Sequence, residues 1–489
     1  MAVAAVEERQ LLKALRWYDG FVIALANPGF LIAFLGYSIG SLGGWGAMIL
    51  WTVSMVIGTL SNWIYSEQAA MFPEKSGGIS LYAHEGWRRY FSLVGPVATF
   101  GYWFAWSSVL AIYSLVVGTL IQTQWFPGSD WTFSTGLADN LGLGHVIGAG
   151  LIIAVWIVNI FGVRLSVWVS YATGAMLMIP LAVFIILPYF TGDWESSNLT
   201  STLNDPGQAW GGWKLALVWL YLMGWSAYGV ETCATFAPEY KNTIRDTSLA
   251  LRSAAIFSLA VYALLPLGIT GVTGTQLPTD DPVAFYVPAF QQIVGGASDL
   301  MVVLLAGSLI LTLNVATADG SRALYGIARD RMTIKQLNHL NRYHVPARAM
   351  TIDMVVNLCL LFFVGNTLAI LVAGNLGYIL AHFFALTAFI LLRKDRPNWP
   401  RPIKLHPIWL WIAGVVAAAN AVFIAVGATN PSLTGYGGAK EAIIGVCVLG
   451  VAILLFLYRR IVQDKERVTW REETPKVPET VSGVGAPAS

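Results

Sequence analysis

Residues 19–43 read DGFVIALANPGFLIAFLGYSIGSLG. A single charge, Asp19, opens the stretch, and everything after it is apolar or small. A bilayer core takes about 20 apolar residues of helix to cross, so this run is long enough to span. Near its middle stands Ala26-Asn27-Pro28-Gly29-Phe30. Pro28 removes a backbone donor and biases Asn27 away from helix, and Gly29 tolerates unusual dihedrals. The run reads as a membrane helix with a break at mid-depth.

Eleven further runs follow, near residues 46–71, 94–122, 144–162, 167–190, 213–237, 248–273, 298–327, 349–364, 367–392, 407–428 and 441–460. Hydrophobic residues make up 56% of the 489-residue chain and charged ones only 11%, with a mean hydropathy of +0.63. Soluble domains carry about a quarter charged residues, so lipid is the expected solvent. The fold class that follows is an all-α polytopic membrane protein of about twelve transmembrane helices. The opening residues mix charges of both signs ahead of the first run, unlike a cleavable signal peptide.

Lys and Arg prefer the cytoplasmic side of short loops. With the N-terminus placed inside, only Lys214 and Lys440 of the 29 Lys and Arg fall outside. Miscounting one helix would exchange the sides of every later loop, so the asymmetry supports both the helix number and cytosolic termini in a cell membrane. The net charge of +2 is therefore loop charge, and no nucleic-acid partner is expected. Cys233, Cys359 and Cys447 fall in or beside predicted helices, where no disulfide is expected. Residues 1–18 are expected to form a cytosolic N-terminus, 19–461 the helical membrane domain, and 462–489 a Pro/Ser/Gly-rich tail expected to be disordered.

Helical transporters often hold substrate where the first helix of each inverted repeat is broken. The sixth run offers the second break, Trp225-Ser226-Ala227-Tyr228-Gly229-Val230-Glu231-Thr232. A carboxylate deep in an apolar segment is expensive and is a functional candidate by default. The bland alternative is that Glu231 only bonds neighbouring helix ends.

At these residues the chain resembles the amino acid/polyamine/organocation (APC) superfamily, over residues 17–460. Glu67-Gln68-Ala69-Ala70-Met71-Phe72-Pro73 with Ser76-Gly77-Gly78-Ile79-Ser80-Leu81-Tyr82 resembles the end of its second helix. Ser321-Arg322-Ala323-Leu324-Tyr325-Gly326-Ile327-Ala328-Arg329-Asp330, with Val345-Pro346-Ala347, resembles the loop after its eighth. Asn159, Gly162, Val163 and Ser166 fit the junction of helices four and five, and Trp225, Gly229 and Glu231 fit helix six of arginine/agmatine antiporters.

The resemblance implies a LeuT-type fold, five plus five inverted helices with two added, and a permease that moves an amino acid or related amine by alternating access. Substrate would lie at the unwound parts of helices one and six. That places Ala26, Asn27, Pro28, Gly29 and Phe30 on one side and Ser226 and Gly229 on the other, with Trp106, Trp225 and Tyr228 closing over it or contacting an ammonium by cation–π attraction.

Two departures from the family pattern stand out. Phe30-Leu31-Ile32 occupies the place of a common Gly-Ser-Gly, which points to a substrate without an ordinary α-carboxylate, an amine or an ω-amino acid. Leu177 stands where some proton-coupled relatives carry Lys. Coupling is then by exchange without an ion, by H+ on Glu231 or another acid, or by Na+ held by helix-one carbonyls and Thr312 or Thr317. Asp319 pairs with Arg322 or Arg329, or belongs to an inner gate, and Asn314 and Asn375 serve as interhelical bonds.

No HExxH, CxxC or P-loop sequence occurs, so no enzyme is expected, nor a cofactor or certain metal site. His84, His339, His344 and His406 lie in or beside inner loops and are expected to be solvated. A sensor with a transporter fold would need a receiving domain or long tail, and a channel a filter sequence or a ring of charge.

Overall fold

A computed structural model describes residues 11–364, 367–434 and 439–475. Its helices are α1 Trp17–Ala24, α2 Ala26–Met71, α3 Gly78–Trp87, α4 Val94–Trp125, α5 Leu143–Ile160, α6 Val163–Ile185, α7 Pro188–Thr191, α8 Trp213–Ala227, α9 Thr243–Thr273, α10 Gln276–Asp280, α11 Tyr286–Val294, α12 Ser298–Arg329, α13 Ala347–Phe363, α14 Thr367–Asp395, α15 Ile408–Gly427 and α16 Ala439–Tyr458. Among the described residues there is no strand, only two isolated bridges.

Nine stretches among the described residues are single runs long and apolar enough to cross a membrane. The first, Trp17–Met71, holds two spans folded at Gly43, whose φ of 73° lies in the left-handed region. A side chain there would also meet the Thr200 carbonyl, since a Cβ would stand 2.5 Å from its oxygen. The sixth span falls short because α8 gives way to a 3₁₀ stretch, Gly229–Glu239, and the ninth, α13, is only 17 residues long. With these the count is the twelve read from the sequence.

The spans form the LeuT-type layout, two units of five followed by two more. α2 packs against α8 and α9, while α4 packs against α5, α12 and α14. The first and third spans are almost wholly enclosed by protein, whereas α15 and α16 are mostly turned outward. Their outward side chains, including Trp411, Val415, Ile443 and Leu454, are apolar, as a surface against hydrocarbon must be.

Asn314 and Asn375 do act as interhelical bonds. Asn314 Oδ1 accepts from Asn159 Nδ2 at 2.8 Å, its Nδ2 donates to Ser170 Oγ at 2.9 Å, and Asn375 Nδ2 donates to the Tyr221 carbonyl at 2.8 Å.

One face of the bundle gathers the basic loops. Glu85 on α3 accepts from Lys75 Nζ at 2.7 Å and from Arg396 Nη2 at 2.6 Å, and Arg393 forks onto Glu67 at 2.6 and 2.5 Å. Burial alone would raise the Glu85 carboxyl, but the charges of Lys75, His84, Arg396 and Arg88 outweigh it and hold it well below the usual carboxylate range.

His84 is buried rather than solvated, because α3 packs inward against Gly95, and burial pushes its imidazole below the ordinary value. The tail expected to be disordered from 462 is packed over its described part. Trp470 stacks on Phe91, and Glu472 accepts from Arg88 at 2.8 Å and Arg460 at 2.5 Å. Residues 1–10 and 476–489, the outer parts of the two expected terminal segments, lie outside the described residues.

Candidate functional site

The first break is not where the Pro28-Gly29 pair suggested. α1 ends at Ala24, Leu25 turns with φ −63° and ψ −12°, and Ala26 through Phe30 are already helical in α2. The reason lies in Pro28, which stands in the first turn of α2. A helix tolerates Pro there, where no intrahelical donor is lost, and not one turn further in. The interruption therefore moves N-terminal to Pro28 and shrinks to a single residue. Phe30, Leu31 and Ile32 lie buried in regular helix.

The second break is larger. α8 stops at Ala227, Tyr228 caps it, and the chain runs on as 3₁₀ helix to Glu239. A 3₁₀ run rarely exceeds 3–4 residues, so eleven residues of it need support from outside. Tyr240 supplies part, its hydroxyl donating to the Cys233 carbonyl at 3.1 Å.

The two breaks touch. A Cβ on Gly229 would stand 2.8 Å from Asn27 Oδ1 and 2.9 Å from the Phe30 ring, and one on Gly29 would stand 2.5 Å from Thr312 Oγ1. Tyr262 ties them further: its hydroxyl donates to the Asn27 carbonyl at 2.8 Å and accepts from Ser226 Oγ at 2.7 Å. Beside them lies a small cavity of about 10 Å³, room for about one water molecule, lined by Phe30, Ala105, Trp106, Val109, Trp225 and Tyr378. Phe30 is the hub of its wall, with ring centroids 5.1 Å from Trp106, 5.4 Å from Trp225 and 5.6 Å from Tyr113.

Glu231 stands at the edge of this cavity, wholly buried. Its Oε1 accepts from Tyr378 Oη at 2.6 Å and from Trp106 Nε1 at 3.2 Å, with His382 Nε2 at 3.8 Å. Its Oε2 has no partner, and neither has Asn27 Oδ1. Both are acceptors that a donor-rich ligand can satisfy.

Of the residues singled out from sequence, Phe30, Trp106 and Trp225 line the cavity, with Asn27, Ser226, Gly229 and Glu231 around it. Tyr228 does not join them: its hydroxyl donates to Asn420 Oδ1 at 3.0 Å, and its ring lies 5.0 Å from His382. The Thr312 hydroxyl is partnerless against Gly29, whereas that of Thr317 bonds back to the Leu313 carbonyl at 3.0 Å.

The expected pairing of Asp319 is corrected. Arg322 forks instead onto Glu239, at 2.5 and 3.1 Å, because a planar guanidinium matches a carboxylate in two parallel bonds. Arg329 lies over the Tyr325 ring, and Asp319 Oδ2 accepts from Tyr102 Oη at 2.9 Å.

Sequence reasoning missed Tyr378 and His382 on α14. They sit four residues apart, on one face of an apolar run, and that spacing of polar groups was the signal.

Comparison with known proteins agrees with this architecture. The family described as Amino acid permease matches residues 19–453. An uncharacterized amino acid permease of Bacillus subtilis, YvbW, is 24% identical over 71% of this chain and 77% of its own. The glutamate/serine transporter AimA of the same organism is 26% identical over 77% of this chain and 69% of its own. Its gamma-aminobutyric acid permease is 23% identical over 80% and 78%. Matched over most of its length, the chain belongs to the amino acid permease family.

Proposed function

We propose that this protein is a secondary active transporter which carries an amino acid or related amine across the cytoplasmic membrane by alternating access, with both termini in the cytosol. The observation that carries the reading is the small aromatic-lined cavity between the first, third, sixth and tenth spans, beside both helix interruptions and edged by Glu231.

Two features favour the amine end of a substrate. Two of the unpartnered atoms about the cavity, Glu231 Oε2 and Asn27 Oδ1, are acceptors only, beside the Tyr113 and Thr312 hydroxyls, and the Phe30, Trp106, Trp225 and Tyr378 rings offer faces to a cation. The carboxylate end has less provision, since Phe30, Leu31 and Ile32 stay in regular helix. An ω-amino acid or amine therefore fits better than an ordinary α-amino acid. A relative named as a gamma-aminobutyric acid permease is consistent with this, although others are named for glutamate, serine, D-alanine and glycine.

For coupling, a proton on Glu231 has the stronger support, because among the described residues no Lys or Arg pairs with it. Sodium would rest on the Thr312 hydroxyl with helix-one carbonyls.

The test is counterflow in proteoliposomes with labelled serine, glutamate and γ-aminobutyric acid, guided by a thermal-shift screen, since a ligand raises the melting point by mass action. Unlabelled substrate inside accelerates uptake if the protein is a carrier, and not if it is a channel. Saturable uptake of an α-amino acid that no amine competes with would remove the amine preference.

A further inference from the structure

Glu231 is one of three fully buried carboxylates strung along α4. One turn nearer the basic face, Tyr102 Oη donates to Asp319 Oδ2 at 2.9 Å, and its chain neighbour Trp103 donates through Nε1 to Asp353 Oδ1 at 2.5 Å. Four residues separate Tyr102 from Trp106, a rise of about 6 Å. Asp353 belongs to α13, and its Oδ2 lies 3.7 Å from where a Cβ on Gly320 would begin, next in sequence to Asp319. The two acids thus lie at one level of the bundle, about Gly320, where the third, eighth and ninth spans meet.

Among the described residues no cation forms an ion pair with either acid. The third span presents Tyr102, Trp103 and Ser107, the sixth Thr235 and Glu231, the tenth Tyr378. On the pair's own helices stand Asn357, which donates to Ser107 Oγ and to the Asp353 carbonyl, and Arg322, which Glu239 already holds. Asp319 Oδ1 and Asp353 Oδ2 are both buried without a well-formed hydrogen bond, the hydroxyls of Thr232 and Thr235 standing beside the first acid and that of Ser107 beside the second. A buried carboxylate without a cation is costly, and so is an acceptor without a donor. A proton on each acid removes the charge.

We infer that Asp319 and Asp353 form a second proton-binding site, separate from Glu231 and nearer the basic face, in which each carboxyl carries a proton while the carrier is closed as seen here. Opening toward that face would let water in and release protons there. This role rests on the transporter reading, but the presence of the protons does not.

The decisive measurement is infrared difference spectroscopy of the full chain in liposomes, with isotope-labelled aspartate. An isotope-shifted C=O stretch of protonated carboxyl is expected at neutral pH, reduced in Asp353→Asn and in Asp319→Asn and unchanged in Glu231→Gln. Each Asn keeps an acceptor oxygen for Trp103 or Tyr102, so melting curves should stay close to the parent. The unsubstituted protein is informative alone: absence of a labelled protonated band at neutral pH overturns the site, as does a band that both Asn variants retain. Where labelled serine or γ-aminobutyric acid is taken up, Asp353→Asn should lose the stimulation by an acid-outside gradient. Uptake of neither would count against the transporter reading and leave the infrared result standing.

Discussion

The interruptions of the first and sixth spans occupy matching places in the two five-helix units, yet they differ in extent. The first costs one residue of helix at Leu25, and the chain resumes at Ala26. The second continues for eleven residues as 3₁₀ helix and carries Glu231 among them. Pro28 explains the difference, because it fits the first turn of a new helix and so limits the damage to one turn. Pro238 stands at the far end of the second stretch, so nothing restarts a regular helix sooner. The rigid break supplies Phe30 as a wall, and the looser one supplies the carboxylate. If substrate drives a conformational change, the second break is the part expected to move.

The largest expected effect is at that carboxylate. Glu231→Ala strands Trp106 Nε1 and Tyr378 Oη, each buried donor costing about 1–3 kcal/mol. The melting point should fall and counterflow disappear. Glu231→Gln keeps an acceptor, so it should restore most of the stability without restoring proton-dependent uptake. Equal melting points for the Ala and Gln variants would mean that the network does not hold the second break.

A contrast with Glu85 sharpens the point, since that acid is saturated with cations. Burial opposes its ionisation but Lys75, His84, Arg396 and Arg88 prevail, so its folded-state carboxyl titrates below its unfolded one. Its contribution is then fully present above the unfolded value of about 4.3 and is lost as pH falls toward the folded one, at about 1.4 kcal/mol per unit of depression. Melting followed from neutral pH to pH about 3 should show this acid limb, and Glu85→Gln should flatten it.

Packing effects come next. Gly229→Ala forces a Cβ against both Asn27 Oδ1 and the Phe30 ring, an overpacking of about 1–3 kcal/mol. Gly29→Ala meets only the Thr312 hydroxyl closely, and a hydroxyl rotates away, so its cost should be the smaller. Thermal melting of the two variants ranks them, and the reverse order would show the first break to be the tighter.

Much of this was legible in sequence, and the reasons are physical. Hydrophobic run length and the placement of Lys and Arg are properties of whole segments, and they gave twelve spans. Interruption at the sixth span was legible in Tyr228-Gly229 with Glu231 beyond. Its position in the first span was displaced, because Pro28 marks where a helix can begin as readily as where one fails. Partners were less legible still. Whether Arg322 turns to Asp319 or Glu239 is settled by approach across spans, and Tyr228 left the cavity because Asn420 and His382, both distant in sequence, offered its hydroxyl and ring better contacts.

The smallest expected effect tests whether the breaks are one unit. Asn27 Oδ1 has no partner, and its Nδ2 makes only a 3.8 Å contact with Met55 Sδ. Asn27→Ala should therefore change stability by no more than about 1 kcal/mol, the net worth of one ordinary hydrogen bond. In the Gly229→Ala background the same change removes one of the two obstacles to the new methyl and leaves the Phe30 ring. A double-mutant cycle read by thermal melting should then give a favourable coupling, within the roughly 0.5–3 kcal/mol found for residues in contact. Additive effects would mean that Asn27 moves aside without cost. The two breaks would then meet only through Phe30, and substrate would be held between an aromatic wall and Glu231 with no contribution from the amide.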